Sequence, residues 1–142
     1  MQPLYQSSLT ISFWLKVLTF NQALIFRVTS SFHIHQELSL LLNSNGTVSG
    51  KLSSDMKQIT SLISLENSKW TFITASFILD AYTNSIFLSF DQSLVASQSW
   101  SSSFSEEFFS LDNLVIGDSQ AFDRQISDFQ ISSPGHQQKC KI

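Results

Sequence analysis

A chain of 142 residues, 42% hydrophobic and only 13% charged, has the length of one domain and can bury roughly two-thirds of the surface its unfolded form exposes. It lacks the low hydrophobicity and high charge of disordered chains. Its 8 basic and 11 acidic side chains leave a formal charge of -3, too small and too scattered for a reader of nucleic-acid phosphates, and no apolar run approaches the roughly twenty residues of a membrane-spanning helix.

Met1 to Thr10 carries no Lys or Arg and no extended apolar region, so it does not read as a secretory signal. The chain is then either intracellular or a piece of a longer protein. From Leu9 to Val17, the residues Leu9, Ile11, Phe13, Leu15 and Val17 occupy every second position, which is the period of a strand. Thr10, Ser12, Trp14 and Lys16 lie on the other face. Gln22 to Thr29 predicts a second strand. Phe32 to Leu42 and Thr47 to Leu52 flank Asn43-Ser44-Asn45-Gly46, and Asn-Gly between two such runs is a strong hairpin signal, favoured by type I′ turns with positive φ at both central residues.

Gln58 to Ser64 predicts a short strand or a partly covered edge. In Lys69 to Leu79 the residues Thr71, Ile73, Ala75, Phe77 and Leu79 alternate with Trp70, Phe72, Thr74 and Ser76, and the pattern predicts burial on both sides near the start. A turn-rich Asp80 to Asn84 leads to a returning strand over Ser85 to Phe90, and Asp91-Gln92 reverses the chain into Ser93 to Ala96. Short links of this kind imply an antiparallel meander. Ser97 to Phe109 reads as a long loop or irregular edge, before strands at Leu111 to Gly117 and Gln125 to Ile131. Short strands recurring every ten or so residues, without a sustained helical period, indicate an all-β sandwich or barrel.

Several of these stretches, in this order, resemble the laminin G-like and concanavalin A-like lectin/glucanase family. They are Leu9 to Lys16 with its tryptophan, the tryptophan strand Lys69 to Phe77, Ile86 to Asp91, and the closing pair Asp112 to Gly117 and Gln125 to Ile131. Gln92 stands where the family usually has glycine after the aspartate, and Arg124 where its closing motif often has one. The resemblance implies an antiparallel two-sheet β-sandwich of the jelly-roll, concanavalin A-like type over residues 1–135. Residues 136–142 would be a tail or the start of a following, cysteine-rich region, with Cys140 either a free thiol or the first cysteine of that neighbour. Trp14 and Trp70 match family core positions.

Catalytic patterns are missing. A retaining glycosidase places two carboxyl groups about 5 Å apart, whereas the adjacent pair Glu106-Glu107 shares no strand face. No Gly-x-Ser-x-Gly elbow or phosphate loop occurs. His33, His35 and Glu37 share one side of a strand, but three ligands on alternate residues spread over about 13 Å, too far for one ion without a neighbour's help, and the wet face of a strand explains them better. The expectation is a protein that is not an enzyme. Trp100, set among serines, is a candidate for stacking on a sugar or a partner. The family often binds calcium through loop acids, which makes calcium a candidate cofactor and brings in Asp80, Asp91, Asp112, Asp118 and Asp123. Asp91 and Asp118 join Trp100 as candidate ligand-binding residues. Asn45-Gly46-Thr47 is a glycosylation sequon in an expected surface turn.

Together these features imply an adhesion or binding module of a larger extracellular or cell-surface protein, recognising carbohydrate or protein through loops at the sandwich rim. The alternative is a structural interaction domain within a large assembly, without a soluble ligand.

Overall fold

A computed structural model describes residues 6–30, 37–52, 57–80, 83–101, 111–117, 124–133 and 136–139. They form eleven strands: β1 (Gln6–Val17), β2 (Ala23–Ser30), β3 (Glu37–Leu42), β4 (Val48–Leu52), β5 (Lys57–Thr60), β6 (Thr71–Asp80), β7 (Thr83–Phe90), β8 (Ser93–Ser101), β9 (Leu111–Ile116), β10 (Arg124–Ser133) and β11 (His136–Lys139). A six-stranded sheet runs β11-β10-β1-β6-β7-β8 and a five-stranded sheet runs β5-β4-β3-β2-β9. Every pairing is antiparallel. No helix occurs among the described residues, and the architecture is a two-sheet jelly-roll sandwich.

Period-two alternation builds the core. Leu9, Ile11, Phe13, Leu15 and Val17 of β1 are all buried, as are Ile73, Ala75 and Phe77 of β6, Ile86, Leu88 and Phe90 of β7, and Leu38, Leu40 and Leu42 of β3. Two departures from strict alternation are absorbed by bulges. In β2, consecutive Ile25 and Phe26 are both fully buried because the register to β3 shifts between Leu24 and Phe26. In β10 the register to β1 shifts between Ser12 and Trp14, and Asp128 takes φ 54°. The extra residue changes the parity, so that Ile126, Phe129 and Ile131 all pack on the core while Ser127 pairs with Trp14. At the centre three rings join the sheets. Phe13 lies 5.5 Å from Phe129 in a stacked pair, and both meet Phe26 of the opposite sheet edge-on at 6.1 Å.

Several expectations are corrected here. The Asn-Gly hairpin forms, but not through a type I′ turn: among its residues only Gly46 has positive φ, at 85°. Gly46 N donates to Asn43 O and Asn43 N to Thr47 O, each at 2.9 Å, the pattern of a β-turn closed by a left-handed glycine. The turn with two positive φ values is instead Asp91 (50°) and Gln92 (69°) between β7 and β8. Of the two readings of the serine-rich stretch from Ser97, loop or irregular edge, the edge holds as far as Ser101, where β8 ends. The stretch from Lys69 is not buried on both sides near its start, because Trp70, just before β6, is 39% exposed and Phe72 is only partly buried. Neither Trp14 nor Trp70 enters the core. Since Phe13 and Leu15 face inward, Trp14 must face out, and it lies 39% exposed against Phe72, its register partner on β6, with ring centroids 5.2 Å apart. Beyond residue 135, β11 pairs with β10 and widens the six-stranded sheet.

Candidate functional site

β5 and β8 are the outermost strands of their sheets, and they come side by side along one open seam of the sandwich. Serine chemistry sets the shape of this seam. Ser61, buried at the end of β5, donates its N–H to Val48 O (2.8 Å) and its hydroxyl to Ile63 O (2.6 Å), while its Oγ accepts from Val48 N (3.0 Å). Four residues on, Leu65 is buried and its N–H donates to Gly46 O at 2.8 Å. With both flanks pinned, Leu62 and Ile63 arch outward and stay 88% and 55% exposed.

The facing strand carries its own irregularity. Ser89 pairs with Leu94 and Leu88 with Ala96, so Val95 is the extra residue of a bulge. Val95 is buried, Leu94 is 58% exposed, and Leu62 N donates to Val95 O at 2.9 Å across the seam. Between the strands lies an open groove of about 370 Å³, with Gln58, Thr60 and Leu62 on one wall and Leu94, Ala96 and Gln98 on the other. All residues lining it are uncharged and none is aromatic. The groove therefore offers amides, hydroxyls, aliphatic surface and main-chain groups. It presents no side chain suited to general acid–base work.

Of the residues singled out from the sequence, Asp91 and Trp100 stand on described strands or turns and lie apart. Asp91 N donates to Phe72 O at 2.7 Å, and the Asp91 carboxylate accepts from Phe72 N at 2.9 Å, so this side chain ties the β7–β8 turn to the start of β6. Trp100 is a residue of β8 paired with Asn84. Between Asn84 and Asp91, β7 covers about 23 Å at ~3.3 Å per residue, which puts Trp100 and Asp91 at opposite ends of the sandwich. Trp100 does stand two residues beyond Gln98 of the groove, on the same strand. Asp118 lies outside the described residues, as do Asp123, His33, His35, Glu106 and Glu107.

Glu37 is ion-paired with Arg27 at 3.0 Å. Among the described residues no three His, Cys, Asp or Glu side chains gather as a metal site would need. Asn45 is exposed in the β3–β4 turn, its Oδ1 accepting from Thr47 N (3.1 Å) and from the Thr47 hydroxyl (2.6 Å).

Leu62, Ile63 and Leu94 escape a reading by periodicity. Gln58 to Ser64 reads as a short strand or a partly covered edge, and β5 is indeed an edge strand, but only the tertiary hydrogen bonds of Ser61 and Leu65 reveal that Leu62 and Ile63 turn outward.

Residues 2–134 match a laminin G-type family model described as the concanavalin A-like lectin/glucanases superfamily. Among solved structures the chain is similar to a native heptameric SAP-like pentraxin from Limulus polyphemus, with 14% identity, a TM-score of 0.54, and coverage of 92% of this chain and 71% of that one. It is similar also to domains LG4-5 of the mouse laminin alpha1 chain, with 14% identity, a TM-score of 0.66, and coverage of 99% of this chain and 42% of that one. For the LG1-3 region of the laminin alpha2 chain the values are 13%, 0.54, 99% and 31%. The chain thus spans less than half of either laminin fragment. At these identities the likeness is one of fold. The search of curated proteins found no match.

Proposed function

Because the chain belongs to the concanavalin A-like lectin/glucanases superfamily, we propose that it is a non-catalytic recognition module of a larger extracellular protein, with its ligand taken at the sandwich rim. Laminin G-like domains are typically binding modules of larger proteins, and that general role is the premise. The observation that carries the finer reading is the β5/β8 groove, an open cleft with exposed leucines on both walls and no charged lining. Exposed aliphatic side chains beside neutral polar groups suit a protein ligand, since contact with a partner removes Leu62, Ile63 and Leu94 from water at roughly 25 cal/mol per Å².

A second reading, carbohydrate binding, is supported by a different place. Trp14 and Phe72 form a half-exposed aromatic pair on the outer face of the six-stranded sheet. Around them are hydroxyl-bearing positions such as Ser12, Thr74 and Ser127. Aromatic rings among hydroxyls suit the apolar face of a sugar.

Arrays of extracellular proteins and of glycans, probed with the wild-type chain, Leu62→Ser/Leu94→Ser and Trp14→Ala, test the assignment. Protein hits lost in the leucine variant and kept in Trp14→Ala are the expected result. Hits indifferent to the leucine variant, or turnover of a polysaccharide, contradict it.

A further inference from the structure

Resting on the groove as the binding site, we infer that β8 takes its partner by strand addition: an extended, uncharged peptide segment pairs main chain to main chain with the free edge of β8 and lays apolar side chains against Leu62 and Leu94. Among the described residues β8 is the terminal strand of its sheet, and its strand partner is β7. In an antiparallel strand alternate residues direct both N–H and C=O to the same edge, so the edge away from β7 carries a row of main-chain groups that no described strand pairs with.

Natural proteins guard such edges with lysines, prolines, bulges or a covering segment. The sequence of β8, SLVASQSWS, contains no charge and no proline. Its single bulge, at Val95, sits near one end, and it is there that Leu62 N donates to Val95 O. The chain thus already uses this edge as a main-chain acceptor for one residue of its own. Ala96 to Ser101 continue the strand past that bond, and Ser97 and Gln98 are exposed.

The occupant follows from these features. A row of backbone donors and acceptors is matched by another backbone in β conformation, as a sugar chain cannot repeat the spacing of alternating N–H and C=O groups. Walls with neutral lining offer no counter-charge, so acidic or basic peptides gain nothing there. Leu62 and Leu94, beside the edge, give the peptide's alternate residues something apolar to contact. This is the β-augmentation mode, in which main-chain bonds supply affinity and side-chain contacts supply selectivity.

The test uses phage-displayed random linear dodecapeptides selected on the immobilised chain. The best binder is then synthesised unmodified and as a series with single backbone N-methyl groups. We expect a selected peptide rich in uncharged residues whose affinity falls at least tenfold when alternate amides are methylated and little when the intervening amides are. Binding falls likewise in Leu62→Ser/Leu94→Ser and is unchanged in Trp14→Ala.

Failure to select any binder overturns the inference, as does a binder tolerant of N-methylation at every position. A peptide lost in the leucine variant but indifferent to N-methylation keeps the groove as the site and refutes strand addition. A peptide indifferent to both refutes the groove itself. Sedimentation equilibrium showing a dimer that dissociates on Leu62→Ser/Leu94→Ser would assign the edge to a second copy of the chain and refute the peptide reading.

Discussion

Replacing Phe13 by alanine attacks the contact that holds the two sheets together. The ring is fully buried, stacked on Phe129 at 5.5 Å and meeting Phe26 of the opposite sheet edge-on at 6.1 Å. Deleting a buried phenylalanine costs about 3–5 kcal/mol through lost transfer free energy and the cavity left behind. Against a total stability of about 5–15 kcal/mol, the variant stays folded with much of its margin gone. For 142 residues the unfolding entropy is about 0.3 kcal/mol/K, so a loss of ~4 kcal/mol lowers the melting temperature by about 13 °C.

Urea and thermal unfolding, followed by circular dichroism, give both numbers. A cycle of Phe13→Leu and Phe26→Leu, mild enough to leave the double variant folded, isolates the coupling of the pair across the sheets, expected at about 0.5–1.5 kcal/mol. A cost below about 1 kcal/mol for Phe13→Ala, or strict additivity of the leucine variants, would refute the shared core.

Gln92 sits at φ 69° in the β7–β8 turn, where glycine carries no side-chain strain, so Gln92→Gly should raise stability by about 0.5–1 kcal/mol; a loss measured by urea titration would count against the turn geometry. Gly50→Val should cost about 1–3 kcal/mol by overpacking, because even a Cβ there would stand 3.3 Å from Ile86 Cγ2 and 3.6 Å from Ile59 Cγ1, and a neutral effect on the melting temperature would show that β4 and β7 are not so close. Secreted from a eukaryotic host, the chain should carry a glycan on exposed Asn45, seen as a mass shift removed by peptide N-glycosidase and abolished by Thr47→Ala; an unshifted mass would exclude it.

Much of the sandwich is legible in the sequence because one buried face per strand imposes a period of two. Leu9 to Val17 and Ile86 to Phe90 each sort cleanly into inward and outward sets, and the same parity places Trp14 outside with Thr10, Ser12 and Lys16. Its likeness to a family core position pointed the other way. Legibility ends where a local irregularity changes the parity. Ile25-Phe26 and Phe129 depend on bulges that only a partner strand reveals, and Asn45-Gly46 does not disclose which turn its hairpin adopts.

The groove was hidden for a related reason. Leu62-Ile63 has the composition of a strand interior, and its exposure follows from Ser61 binding Val48 and Leu65 binding Gly46, contacts between residues far apart in the chain. In the same way the serines after Ala96 read as either loop or irregular edge, and pairing with β7 decides for the edge strand.

Amide chemical-shift changes in the nuclear magnetic resonance spectrum of the chain, titrated with the peptide selected against it, test the binding account most directly. Shifts confined to Gln58–Leu62 and Leu94–Ser101 are predicted. Shifts centred on Trp14 and Phe72, with β8 silent, would contradict it.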